Sequence, residues 1–239
     1  MLARDLNSCS GAAAAPDAAP GCVGGCGRGA SVATEAAEAT EAAVLSADSA
    51  STAAAAGGGC EGLGAAAADL GTLRLAGVVR ESIVDGPGLR FTIFCQGCPH
   101  GCEGCHNPAT HDFAGGYDCD IAKILAAIDE NPLLDGVTFS GGEPMCQPEA
   151  FLTIAREVKK RGLNIVAFTG YLYEDLLEMA KTNAALNELL PLIDLLVDGP
   201  FVLGERDLTL KFRGSANQRV IDVPKSLASG EVCIAEEHM

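Results

Sequence analysis

Aromatic side chains are missing from the first 90 residues of this 239-residue chain; the first is Phe91. Up to about residue 70 the sequence is mostly Ala, Gly, Ser and Thr with scattered acids. Ordering a residue costs roughly 1–2 kcal/mol of backbone entropy, and such residues bury too little surface to offset it. Residues 1–72 therefore read as a disordered low-complexity tail, with transient helix around 33–45, where Ala and Glu favour it. Positive charge is scarce as well: 16 Lys and Arg face 32 Asp and Glu, a net charge of −16. Nucleic acid and anionic membranes call for a basic surface, so neither is an expected partner. No run reaches the roughly 18 apolar residues of a membrane span. The tail lacks a basic start followed by an apolar core, and its eight acids against two arginines do not suit an organellar transit peptide. The expected compartment is the cytoplasm. There, eleven cysteines imply metal chemistry rather than a disulfide framework.

Residues 73–225 have the composition of one globular domain, followed by a C-terminal tail, 226–239. Strands are expected at Leu75 to Val79 and Leu89 to Cys95, with a tight turn at Gly86-Pro87-Gly88 between them. Ile121, Ile124, Leu125 and Ile128 have the i, i+3, i+4, i+7 spacing of an amphipathic helix, with Asp118 or Asp120 near its start. Phe151, Ile154, Ala155 and Val158 repeat it, as do Tyr173, Leu176, Leu177 and Ala180. Further strands are expected at Gly136 to Phe139, Leu163 to Phe168 and Ile193 to Val197, then at Leu208 to Phe212 and Arg219 to Val223. This alternation predicts an α/β fold with mostly parallel strands. Functional loops in such folds gather at the carboxyl ends of the strands. Four candidates fall there: the cysteine-rich loop after Cys95, Ser140 to Pro144, Thr169 to Tyr171 and Asp198 to Pro200.

The first of these loops carries the chemistry. Cys98, Cys102 and Cys105 have C-x3-C-x2-C spacing. Thiolates that close converge on a soft metal centre more readily than on one another. A structural zinc site wants four ligands, as does an ordinary electron-carrying 4Fe–4S cluster. Three sulfurs would leave one iron open to a substrate. Cys95 would complete a set of four, but three residues between the two pairs is tight for a zinc module. Cys95 also alternates with Phe91 and Ile93, as a buried thiol would. A non-catalytic zinc-binding adaptor stays open as an alternative of a different class. Cys22 and Cys26 imitate half a metal site and read as incidental.

The cysteine loop resembles that of the radical S-adenosylmethionine (radical SAM) enzymes, and Gly141-Gly142-Glu143 resembles their Gly-Gly-Glu motif. Asp85 to Arg90, Cys105 to Pro108, Thr169 to Tyr171, Asp194 to Pro200 and Arg213 to Arg219 narrow the likeness. Together they are similar to the activating proteins of anaerobic ribonucleoside-triphosphate reductase, over roughly residues 73–223. The resemblance implies an incomplete (β/α) barrel and a single 4Fe-4S cluster on Cys98, Cys102 and Cys105, with S-adenosylmethionine on its open iron. Reductive cleavage gives a 5′-deoxyadenosyl radical, which takes a hydrogen from a glycine of the reductase's large subunit. The resemblance implies Gly104, Cys105, His106, Gly141, Gly142 and Glu143 as cofactor contacts, and Asp198, at a strand end, is a candidate for a ribose or metal contact. Gly104 stands where many of these loops carry an aromatic. A low-potential electron donor of flavodoxin or ferredoxin type is implied as a second partner. Activation of another glycyl radical enzyme, of the pyruvate formate-lyase type, is the alternative within the class.

Overall fold

The structure, a computed structural model, describes residues 69–236. The low-complexity tail up to residue 68, with its expected disorder, its helix at 33–45 and the pair Cys22 and Cys26, lies outside the described residues. The chain enters on β1 (Thr72–Ser82) and returns antiparallel on β2 (Arg90–Cys95). A short edge strand, β3 (Tyr117–Asp120), pairs antiparallel with the far side of β1. Then come α1 (Ile121–Asp129), β4 (Gly136–Gly141), α2 (Pro148–Lys160), β5 (Asn164–Phe168), α3 (Tyr173–Ala180) and α4 (Ala184–Leu189). The last elements are β6 (Leu195–Asp198), β7 (Arg219–Asp222) and α5 (Val223–Ser229). One seven-stranded sheet results, in the order β3-β1-β2-β4-β5-β6-β7. Strands β2, β4, β5 and β6 run parallel to one another, and β7 closes the far edge antiparallel to β6. The expected α/β class with mostly parallel strands is what forms.

Residues of opposite parity on β2 face opposite ways. Phe91, Ile93 and Cys95 join the helix-facing core with Val137 and Phe139 of β4 and the buried stripes of α1 and α2. Arg90 and Thr92 are buried on the other face. Arg90 donates to Thr138 Oγ1 at 3.0 Å, to the Val137 carbonyl at 2.7 Å, to the Pro87 carbonyl at 3.3 Å and to Asn164 Oδ1. Burial lowers its pKa to about 10, against the pull of Asp135, Asp194 and Asp85, so it is charged at neutral pH. The Asp85 to Arg90 segment thus folds across the inner face of the sheet, with Asp85 accepting from Ser82 and Thr92.

The structure departs from or adds to these expectations at several points. Leu208 to Phe212 is not a strand: Asp207 caps the turn by accepting from the Thr209 backbone and hydroxyl, and Phe212 takes a left-handed φ of 57°. The apolar alternation of Leu208, Leu210 and Phe212 is real, but it faces a cavity rather than a sheet. Tyr117 to Asp120 forms β3, and Asp120, at the start of α1, makes no side-chain cap. Helix α4 follows Asn183, whose side chain accepts from the Leu186 amide at 3.0 Å. Leu177 lies off the buried face of α3 and is 36 % exposed. At the C-terminal side, α5 runs through residue 225, and Ile234 pairs with Ile221 beyond it. Among the described residues no helix is long and apolar enough to cross a membrane.

Arg90 ties three parallel strands together from inside. Replacing it by Met should cost roughly 2–4 kcal/mol, because buried acceptors on β4 and β5 lose a charged donor. Urea denaturation of Arg90→Met checks this; a loss below about 0.5 kcal/mol contradicts it.

Candidate metal and cofactor site

The loop after Cys95 is held by backbone pairing at both ends. Gly97 donates to the Thr110 carbonyl at 2.8 Å and Cys98 to that of His111 at 3.1 Å, closing the loop on itself. Gly142 donates to the Cys95 carbonyl and Glu143 to the Gly97 carbonyl, each at 2.8 Å, fixing the same loop to the end of β4. Cys98, Cys102 and Cys105 are all half-buried and line one cavity of about 610 Å³. Cys95 is not on that wall. It is buried in the helix-facing core, and burial pushes its thiol well above the usual range.

Burial also raises the Cys98 thiol, and the negative charges of Glu143, Cys102 and Cys105 raise it further, against a backbone hydrogen bond from His100. The Asn107 amide donates to Cys105 Sγ at 3.4 Å. Among the described residues no three His, Cys, Asp or Glu side chains are grouped to share one metal ion. A cluster makes a different demand, because each cysteine then binds its own iron. Three soft, partly desolvated donors around a roomy cavity fit such a cluster.

The Gly-Gly-Glu segment faces two ways. Gly141 and Gly142 line the cavity, and both also press on the cysteine loop. A Cβ on Gly142 would come within 2.4 Å of the Gly97 carbonyl oxygen, and one on Gly141 within 2.5 Å of Phe94 Cα. Glycine is required there for the loop's seat on β4. Glu143 turns inward and is fully buried. One carboxylate oxygen accepts from the Met145 amide at 3.0 Å and Thr169 Oγ1 at 2.9 Å. The other accepts from the Gly170 amide and His100 Nε2, each at 2.8 Å. Its acceptor capacity is used by the protein.

Asp198 is likewise buried away from the cavity. It accepts from the Tyr173 amide at 2.9 Å and pairs with Arg219, which also binds Glu174. Its neighbour Gly199 lines the wall instead. Gly104 has a φ of 71° and packs against Leu203: a Cβ there would lie 2.8 Å from Leu203 Cδ1. Cys105 and His106 do reach the cavity, and the His106 ring lies 5.3 Å from that of Phe201.

Several participants carried no local sequence signal. His100 bonds Glu143 and meets Tyr171 edge-on at 4.5 Å. Burial, with the charge of Glu143, pushes the Cys146 thiol up to about 11, although Tyr171 hydrogen-bonds to it. The Arg213 to Arg219 segment acts as a clamp. Gln218 accepts from the Gly214 and Ser215 amides at 2.9 and 3.2 Å and donates to the Gly199 carbonyl at 3.0 Å. Asn217 donates to the Pro200 carbonyl at 2.8 Å. Together they shape the loop after β6.

Residues 84–221 match the family described as the 4Fe-4S single cluster domain. The chain is similar to the anaerobic ribonucleoside-triphosphate reductase-activating protein of Vibrio cholerae, 37% identical over 144 residues, which cover 57% of this chain and 89% of that one. The Escherichia coli K12 protein of the same name is 35% identical over 147 residues, 58% of this chain and 91% of that one. The pyruvate formate-lyase-activating enzyme of Clostridium pasteurianum is 38% identical over 114 residues, 45% of this chain and 48% of that one.

The seat of the cysteine loop is testable without any cofactor. Gly142→Ala should destabilise the protein by about 1–3 kcal/mol, because the Gly97 carbonyl it meets is backbone and cannot swing aside. A thermal midpoint unchanged from that of the parent would contradict this packing.

Proposed function

The chain belongs to the anaerobic ribonucleoside-triphosphate reductase-activating protein family of 4Fe-4S single-cluster domains, and on that premise we propose that it is a radical SAM activase that installs the glycyl radical of such a reductase. The observation that carries this reading is the trio of half-buried sulfurs on one cavity wall beside the Gly141-Gly142 backbone. Cys98, Cys102 and Cys105 would hold a single 4Fe-4S cluster, and S-adenosylmethionine would bind in the same cavity, which Gly141 and Gly142 also line. Bound there, the two supply reductive cleavage of S-adenosylmethionine and, through it, removal of one hydrogen atom from a glycine of the reductase's large subunit.

The chain's own residues bind, orient and shield. Cys105, His106, Gly141 and Gly142 meet the nucleotide directly. Glu143, Asp198 and Gly104 act from behind by fixing the loops that do so. With the Glu143 carboxylate occupied by four donors, backbone carbonyls at the end of β4 would be left to accept from the ammonium of the nucleotide. Phe94, Phe168 and Phe201 give the cavity an apolar lining that limits water. The parallel strands, with α2 and α3 in the crossovers between them, support reading the sheet as an incomplete (β/α) barrel, whose open mouth admits a protein loop. A flavodoxin- or ferredoxin-type protein in the cytoplasm delivers the electron.

The test is anaerobic reconstitution followed by iron analysis and electron paramagnetic resonance (EPR). Cys98→Ala and Cys102→Ala should lose the cluster and lower reductive S-adenosylmethionine cleavage at least about a hundredfold. Cys95→Ala should keep both, since its thiol belongs to the core. Normal cleavage by Cys98→Ala, or one zinc and no iron after oxygen-free purification, overturns the reading. The similarity to the Clostridium enzyme makes pyruvate formate-lyase the second partner to assay: a glycyl radical signal arising only with that partner reassigns the target.

A further inference from the structure

Among the described residues that line the sulfur-walled cavity, Arg213 is the one lysine or arginine. Its Nη1 donates to the Gln218 carbonyl at 2.9 Å, which fixes the guanidinium on the clamp after β6. Its Nε is buried without a hydrogen-bond partner. Three buried side-chain polar atoms are orphaned among the described residues, and two of them, Arg213 Nε and Asn217 Oδ1, sit in this one segment. A buried donor left unmade costs stability, so an orphan on a residue that lines a cavity marks where a ligand belongs.

Among the described residues none supplies an anion for it. Asp85 and Asp207 line the same cavity, but Asp85 accepts from Ser82 and Thr92, and Asp207 from Thr209. Arg213 forms no ion pair among the described residues. Phe212, directly before it, holds a left-handed φ of 57°, a conformation that non-glycine residues keep where the surrounding structure over-determines it. The guanidinium is thus anchored at one nitrogen and unpartnered at another, on a residue at the wall of a site whose acids are engaged elsewhere.

We infer that Arg213 is the carboxylate-binding residue of this cavity and takes the α-carboxylate of S-adenosylmethionine. This rests on the function proposed above. The nucleotide carries an ammonium, a sulfonium and one carboxylate, and only the last complements a guanidinium. A carboxylate has lone pairs enough to bind a metal through one oxygen and accept from Arg213 through the other.

The experiment is equilibrium dialysis of the cluster-loaded full chain, without oxygen, against S-adenosylmethionine and its decarboxylated analogue. Arg213→Met should weaken S-adenosylmethionine binding about tenfold or more and change binding of the analogue less than about twofold. Arg213→Lys should lose less, and again only towards the carboxylate form; it carries the comparison if Arg213→Met fails to fold. Equal weakening of both ligands assigns Arg213 to loop structure and overturns the inference, as does no change in either. A parent protein that holds no cluster or binds neither ligand overturns the proposed function, and this inference with it. A loaded parent that binds S-adenosylmethionine as tightly as Arg213→Met does overturns this inference alone.

Discussion

The Glu143 carboxylate is the constraint around which the site is built. It is fully buried and takes one donor from the cysteine loop, one from its own turn after β4 and two from the turn after β5. A buried charge is tolerated only when it is this well satisfied. Removing it would strand four donors on three separate segments. Those segments make up much of the cavity wall, so one side chain fixes the relative placement of the sulfurs, the glycine pair and the Thr169-Gly170 turn. The same turn is crowded from the other side: a Cβ on Gly170 would lie 2.3 Å from His100.

A second buried pair does the same for the other wall. Asp198 and Arg219 join the end of β6 to β7 and to the start of α3. The amides of Asn217 and Gln218 then pin the carbonyls of Gly199 and Pro200. Below both, Arg90 cross-links β2, β4 and β5 on the inner face. The interior of the sheet is therefore polar and hydrogen-bonded, whereas its helix-facing side is packed with Phe91, Phe139, Phe151 and Ile154. The two faces divide labour: apolar burial on one holds the fold, and directional bonds on the other position a site.

Elements with a strong period were legible in the sequence. The stripes of α1 and α2 emerged where their spacing put them, because apolar residues at i, i+3, i+4 and i+7 have one way to be buried on a helix. Four of the parallel-sheet strands were visible as short β-branched or aromatic runs. Edge strand β3 was not, since Tyr-Asp-Cys-Asp is half exposed and its pairing with β1 is a long-range event. Leu208 to Phe212 alternates like a strand, but the same alternation serves a loop with one apolar side facing a cavity. In the site, cysteine spacing is local and readable. The direction of Glu143 and Asp198 is not, because it depends on donors far off in sequence: His100 and Gly170, 43 and 27 residues from Glu143, and Arg219, 21 residues from Asp198. The role of the Arg213 to Arg219 segment was hidden for the same reason: amide side chains bonded to distant backbone leave no pattern.

The account stands or falls on how the irons are held. Mössbauer spectroscopy of the anaerobically reconstituted protein, recorded with and without S-adenosylmethionine, reads this directly. It predicts one iron site distinct from the others, with only that site changing when the nucleotide is added. Irons that are all equivalent, with a spectrum indifferent to S-adenosylmethionine, would contradict three-cysteine ligation and the function built on it.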